Sequence, residues 1–152
     1  MSRLSFALLM TAFTATASLF GNAAHALEYR SVAVPVAIFY DAPSTQGRKL
    51  YLTKAGAPLE VIAKMKDWVK VRDAEGTIAW IQESAVSSER TLVVTADLAD
   101  VRQAANETAA IVFQAEKWVS LELLEGAPAG WAKVKHRDGA SGFVRITQIW
   151  GL

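Results

Sequence analysis

The sequence predicts an all-β chain built from two similar halves of about 60 residues each, preceded by a secretory leader. Three observations point there. A segment recurs without a gap, apolar and polar residues alternate on both sides of Gly-containing turns, and neither half shows much helical periodicity.

Residues 1–26 read as a signal peptide. Arg3 is followed by an uncharged, mostly apolar run from Leu4 to Phe20, Gly21-Asn22 breaks the helix, and Ala24-His25-Ala26 supplies a small-x-small cleavage pattern. The apolar run is short of the roughly 20 residues that a spanning helix needs, and no cysteine follows it to carry a lipid. The mature chain, from about Leu27, is expected to be exported and soluble, in the periplasm or outside the cell.

The full chain holds 16 Lys and Arg against 15 Asp and Glu. Loss of the leader removes Arg3 and no acid, which leaves a net charge of zero. Nucleic acid is a poor partner for such a chain, because its binding depends on clustered cations that neutralise phosphates. An anionic membrane likewise needs a polybasic patch that is missing. With no cysteine, an exported chain relies on packed apolar surface and not on disulfides or thiolate metal sites.

The repeat organises the rest. "DWVKVRDAEGTIAWI" (67–81) returns as "GWAKVKHRDGASGFV" (130–144), with Trp68/Trp131, Lys70/Lys133, Val71/Val134 and Gly76/Gly139 identical. Arg30–Val34 resembles Arg90–Val94, and Leu59–Ile62 resembles Leu121–Leu124. These pairs divide the mature chain into units at 27–89 and 90–152. Alternation places Val69 and Val71 on one face of the first strand, and Trp68, Lys70 and Arg72 on the other. It places Ala132 and Val134 inside in the second copy, and Trp131, Lys133 and Lys135 outside. Asp73–Gly76 and Arg137–Gly139 make tight turns, with Gly76 suited to a positive φ. Ile78–Ile81 returns as the partner strand. Before each hairpin come a β-rich strand, at 59–64 or 121–125, and a longer polar loop containing Asp41–Thr45 or Asp100–Gln103.

With these elements in view, "AIFYDAPS", "GAPLEVI", "DWVKVRDAEGTIAWI" and their second copies resemble tandem bacterial SH3 (SH3b-like) domains. The resemblance covers nearly the whole mature chain. It implies two SH3-like small, open β-barrels of five or so strands each. It also implies a binding role, since members are modules attached to or accompanying enzymes that act on peptidoglycan, with wall peptides or proteins as targets. It carries no fixed set of site residues. Ala37–Asp41 looks like the aromatic motif by which eukaryotic SH3 domains grip proline-rich helices. The second copy has no aromatic in the corresponding stretch Asp97–Val101. Ile38 is therefore expected in the core, with Phe39 and Tyr40 covering the barrel or the domain junction.

Catalysis finds few candidates. After the leader one histidine is left, His136, in or beside the second hairpin turn, where the first copy has Asp73. Without cysteine no Cys-His pair exists. The acid pairs Asp73/Glu75, Asp97/Asp100 and Glu122/Glu125 fall in or near turns and on solvent-facing strand positions, where charge ordinarily serves solubility. No EF-hand spacing or phosphate-binding glycine loop is present. The chain is read as noncatalytic, without metal or cofactor.

Binding falls to the aromatics: five tryptophans, at 68, 80, 118, 131 and 150, all follow the leader. Such rings give large contact area at little conformational cost. Trp68, Lys70 and Arg72 with Trp80, and Trp131, Lys133 and Lys135 with Phe143, form the expected ligand-binding strips, offering stacking faces and cations for carboxylates; the alternative is that these rings close the barrel ends or pack between the two domains. Trp118 stands where the first copy has Gly56 in a turn; it is expected either to fill the junction between the repeats, the preferred reading, or to mark a partner surface. Trp150 is expected to pin the last strand. The predicted function is an exported module that recognises cell-wall peptide, peptidoglycan or an envelope protein. The rival is a structural or regulatory partner of an exported enzyme or envelope assembly, with no wall binding.

Overall fold

The computed structural model describes residues 27–126 and 128–152; the predicted leader lies outside them. Among the described residues there are strands and three short 3-10 turns, and no α-helix. The first repeat contains β1 (Glu28–Val32), β2 (Val36–Tyr40), β3 (Lys49–Lys54), β4 (Pro58–Met65), β5 (Trp68–Arg72), β6 (Ile78–Gln82) and β7 (Val86–Ser87). The second contains β8 (Thr91–Val94), β9 (Leu98–Arg102), β10 (Ile111–Glu116), β11 (Ser120–Gly126), β12 (Trp131–Lys135), β13 (Ser141–Arg145) and β14 (Ile149–Trp150). Each repeat is one antiparallel sheet, ordered β3-β2-β6-β5-β4-β1-β7 and β10-β9-β13-β12-β11-β8-β14.

Matching irregularities bend both sheets. The long strands β4 and β11 each carry a bulge, at Ile62 and at Leu124, where the register skips from Val61 to Ala63 and from Leu123 to Glu125. At the central hairpins, Val69, Val71 and Ile81 have no exposed surface in the first repeat, and Ala132, Val134 and Val144 have none in the second. Burying each of these valine and isoleucine side chains stabilises the fold by about 1.5–3 kcal/mol, and the single methyl of Ala132 by less. The turns end on Gly76 at φ 86° and Gly139 at φ 95°. In each turn the glycine N–H donates back to the first turn residue, Gly76 to the Asp73 carbonyl and Gly139 to the His136 carbonyl.

Four sequence expectations need correction. Each sheet has seven strands, not five or so, because β3 and β10 form where a polar loop was expected and short closing strands are added. Asp100–Arg102 belongs to β9 and not to a loop; the loop tip is confined to 103–110. The equivalent of β2 is Leu98–Arg102, so Val101 replaces Phe39 in the core and Arg102 replaces Tyr40. Ile38 is only half-buried, while Phe39 and Tyr40 are 1% and 5% exposed. The pleat turns Ala37 and Phe39 into the core and Tyr40 to the outward face, where its ring is covered by packing against Trp68.

The repeats meet where β14 of the second approaches β1 of the first. Trp150 of β14 packs edge-on against Tyr29 of β1, with ring centroids 5.3 Å apart, and the Arg90 guanidinium lies 5.2 Å from the Tyr29 ring. Arg90 also donates to the Gly151 carbonyl at 2.9 Å. Trp150 thus pins the last strand, as expected, and does so on the other repeat.

The second core is tighter at one point. A Cβ on Gly142 would lie 2.5 Å from the Arg102 carbonyl oxygen, backbone that cannot yield cheaply, whereas the equivalent Ala79 is accommodated in the first repeat. Gly142→Ala is therefore expected to destabilise the chain by about 1–3 kcal/mol, measured as a lowered urea midpoint.

Candidate functional site

Strands β5 and β6 carry the outward face of the first repeat. Their register sets Lys70 opposite Trp80, and Tyr40 of β2 lies on the far side of Trp80. Tyr40 meets Trp68 edge to face at 5.2 Å, and the Lys70 ammonium stands 5.8 Å from the Trp80 ring. Trp68 and Trp80 are both half-buried, each with one side fixed by packing and the rest open. Lys70 makes no ion pair among the described residues. Arg72, at the end of the strip, is held by both Glu60 oxygens at 3.3 and 3.1 Å, so its charge is already matched. The result is an aromatic surface with one uncommitted cation, suited to stacking beside a carboxylate.

The second repeat differs, and Trp131 departs from expectation. It is 3% exposed because the Arg145 guanidinium covers its ring at 4.4 Å, fixed in turn by Glu107. The first repeat has Gln82 at the position of Arg145, which leaves Trp68 uncovered. Lys133 pairs with Glu125 at 2.9 Å and Lys135 with Glu122 at 2.7 Å. Phe143 is half-buried between Lys133 and Arg102, and Arg102 is tied to Asp100 at 2.8 Å. The structure brings the four predicted residues of each strip together, but in the second strip both cations, Lys133 and Lys135, are already paired.

Other candidate groups take structural roles. Asp73 accepts the Tyr51 hydroxyl at 2.9 Å and the backbone N–H groups of Glu75 and Thr77. In the second repeat this pair is replaced by Phe113 and His136, whose rings lie 5.8 Å apart, with His136 Nδ1 3.0 Å from Asp138. His136 sits in the turn as predicted, and its ring packs on Phe113. Ala140 N–H and then His136 hold the Asp138 carboxyl below its ordinary value.

Trp118 occupies the Gly56 position in full. Both N–H groups donate to the equivalent carbonyl at 2.9 Å, Trp118 to Val94 and Gly56 to Val32, and both residues have positive φ, 69° and 79°. Trp118 lies at the junction as expected, but 42% exposed, and so plugs nothing. With Tyr51, Leu52 and Pro58 it lines a cavity of about 180 Å³ between the repeats. Sequence reasoning did not single out Tyr51 or Leu52; the signal available was the alternation in "KLYLTK" (49–54).

A protein-family model described as bacterial SH3 domain matches residues 33–88 and 95–151. The chain belongs to this family. Bacterial SH3 domains are binding modules and occur in cell-envelope proteins. No curated protein matches the chain. Among solved structures, the bacterial SH3 pair is similar to NlpC2 from Trichomonas vaginalis, at 12% identity and TM-score 0.39 over 82% of this chain and 48% of that one. NlpC1 from the same organism gives 14% and 0.38, over 93% and 50%. An NlpC/P60 family protein from Bacillus cereus gives 15% and 0.37, over 80% and 55%. The chain thus spans about half the length of these proteins. No helix among the described residues is long and apolar enough to cross a membrane.

Arg145→Ala should uncover Trp131. Hydrogen exchange at the Trp131 indole N–H, followed by NMR, is expected to speed up while that of Trp68 stays unchanged. Tyr51 yields a pH prediction. Burial, then the Asp73 hydrogen bond and charge, raise its phenol pKa above the ordinary value. The resulting stability is fully present below about pH 10 and is lost as pH rises toward the folded value. Tyr51→Phe is expected to cost about 0.5–1.5 kcal/mol at pH 7 and to flatten the alkaline loss, read from urea unfolding at neutral and alkaline pH.

Proposed function

We propose that the chain is an exported, noncatalytic binding module that recognises cell-wall peptide or peptidoglycan through the outward face of its first repeat. The observation that carries this reading is the uncommitted Lys70 beside Trp80 and Trp68, with Tyr40 fixing the Trp68 ring. Stacking on the indoles and a charge-assisted contact to a carboxylate would act together there. Trp68, Lys70 and Trp80 are the binding residues, with Arg72 held back by Glu60. In the second repeat, Trp131, Lys133, Lys135 and Phe143 form a paired face that supports the fold. The leader pattern in residues 1–26 supports export to the periplasm or beyond. The division into units at 27–89 and 90–152 is supported by β1 and β8, which lie outside the matched segments yet are hydrogen-bonded into their own repeats' sheets.

The mature chain is expected to co-sediment with purified peptidoglycan and to be released by salt. Lys70→Ala should weaken retention about tenfold, close to 1.4 kcal/mol, while Lys133→Ala leaves it within about twofold. Absence of retention at low salt, with a stoichiometric envelope protein captured instead, would replace the wall ligand by a protein partner.

A further inference from the structure

A second surface, apart from the Trp68 strip, runs along the seam between the repeats. The β3–β4 turn of the first repeat sits on the start of β11, and a Cβ on Gly56 would lie 3.6 Å from that of Ser120. On one side of this contact is a cavity walled by the apolar side chains of Trp118, Tyr51 and Leu52, with Val36 beyond, and lined also by Asp73, already engaged by the Tyr51 hydroxyl, and by Glu75. On the other is a cavity of about 450 Å³ whose wall includes Lys54, Lys135, His136 and Arg137, with Glu122 as the acid. Lys54 and Ser120 border both, so the two recesses adjoin along one groove at the seam, with the indole and Leu52 at one end and Lys54, Lys135 and Arg137 toward the other.

Three features of this groove are unexplained by folding. Lys135 and Glu122 neutralise each other, but Lys54 and Arg137 have no ion-pair partner among the described residues. Thr91, in the wall of the cationic half, has a buried hydroxyl with no hydrogen-bond partner. Trp118 keeps a strained left-handed backbone at a site where the first repeat uses glycine, and its ring, with the Lys117 ammonium 5.5 Å from its centroid, stays partly exposed in the cavity that Leu52, itself 65% exposed, also lines. The wall formed by β3 is also the edge of its sheet, an edge whose main-chain groups can accept an added strand.

We propose that this groove binds a short extended acidic segment of a partner protein, seating an apolar side chain between Trp118 and Leu52 and its carboxylates against Lys54 and Arg137. The unmatched cations select carboxylates, the indole selects an apolar neighbour, and the free edge of β3 favours an extended peptide over a small organic acid.

The test uses the mature chain and a fluorescein-labelled peptide, Leu-Ala-Glu-Glu blocked at its C-terminus as the amide, against its Leu-Ala-Gln-Gln counterpart. Fluorescence polarisation is expected to show the acidic peptide binding at least tenfold more tightly, with the difference shrinking as salt rises. Lys54→Glu and Arg137→Glu should each weaken binding about tenfold or more. Trp118→Gly should weaken it while leaving the fold intact, since Gly56 holds the same conformation in the first repeat. Lys70→Ala, on the separate strip, should change nothing, so that failure here and failure of wall binding are told apart. Equal affinity for the two peptides, no saturation at millimolar concentration, or binding unaffected by both charge reversals would overturn the proposal. Displacement of the labelled peptide by soluble peptidoglycan fragments, but not by unlabelled acidic peptide, would do so as well.

Discussion

Each repeat depends on the two-residue period of its central hairpin. Val69 and Val71, or Ala132 and Val134, must face inward for a unit of this size to exclude water, because the chain has no cysteine for a disulfide and, among the described residues, no cluster of three or more metal-ligating side chains. Once that period is fixed, the alternate residues have no choice of side: Trp68, Lys70 and Arg72, and their counterparts, are forced onto the other face. Gly76 and Gly139 then close the turn with a backbone few other residues adopt. What can vary is the chemistry of the outward positions.

The two copies have used that latitude differently. Replacing Gln82 by Arg145 and Tyr40 by Arg102 converts an open aromatic face into a covered, charge-paired one. The inner layer shifts with it. Phe39 gives way to Val101 and Ala79 to Gly142, which allows β13 to approach β9 too closely for any side chain at Gly142. Tyr51 and Asp73, joined by a hydrogen bond, become Phe113 and His136, joined by ring contact. The contact between strand and turn is kept while its chemistry is exchanged.

The all-β class, the duplication, both hairpins and both glycine turns were legible because each rests on local signals, alternation and turn chemistry, read within about fifteen residues. The strands β3 and β10 were not, since edge strands expose most of their side chains and so lack the clean apolar face that marks a buried strand. Trp131 shows the limit of alternation. It does lie on the outward side, but Arg145, fourteen positions on, folds across it. Pattern tells which side of a sheet a residue occupies and not what a neighbouring strand lays over it. Trp118 was legible as a departure from its twin. Its openness follows from how two repeats meet, which no periodicity encodes.

The contact between Tyr29 and Trp150 has a topological consequence. It joins the first strand to the last, which brings the two ends of the described fold to one side of the molecule. A unit whose ends are neighbours can be spliced into a loop of a larger host, or rejoined end to end and opened elsewhere, without stretching its connections. Anchoring by either terminus would therefore hold the pair by the same corner.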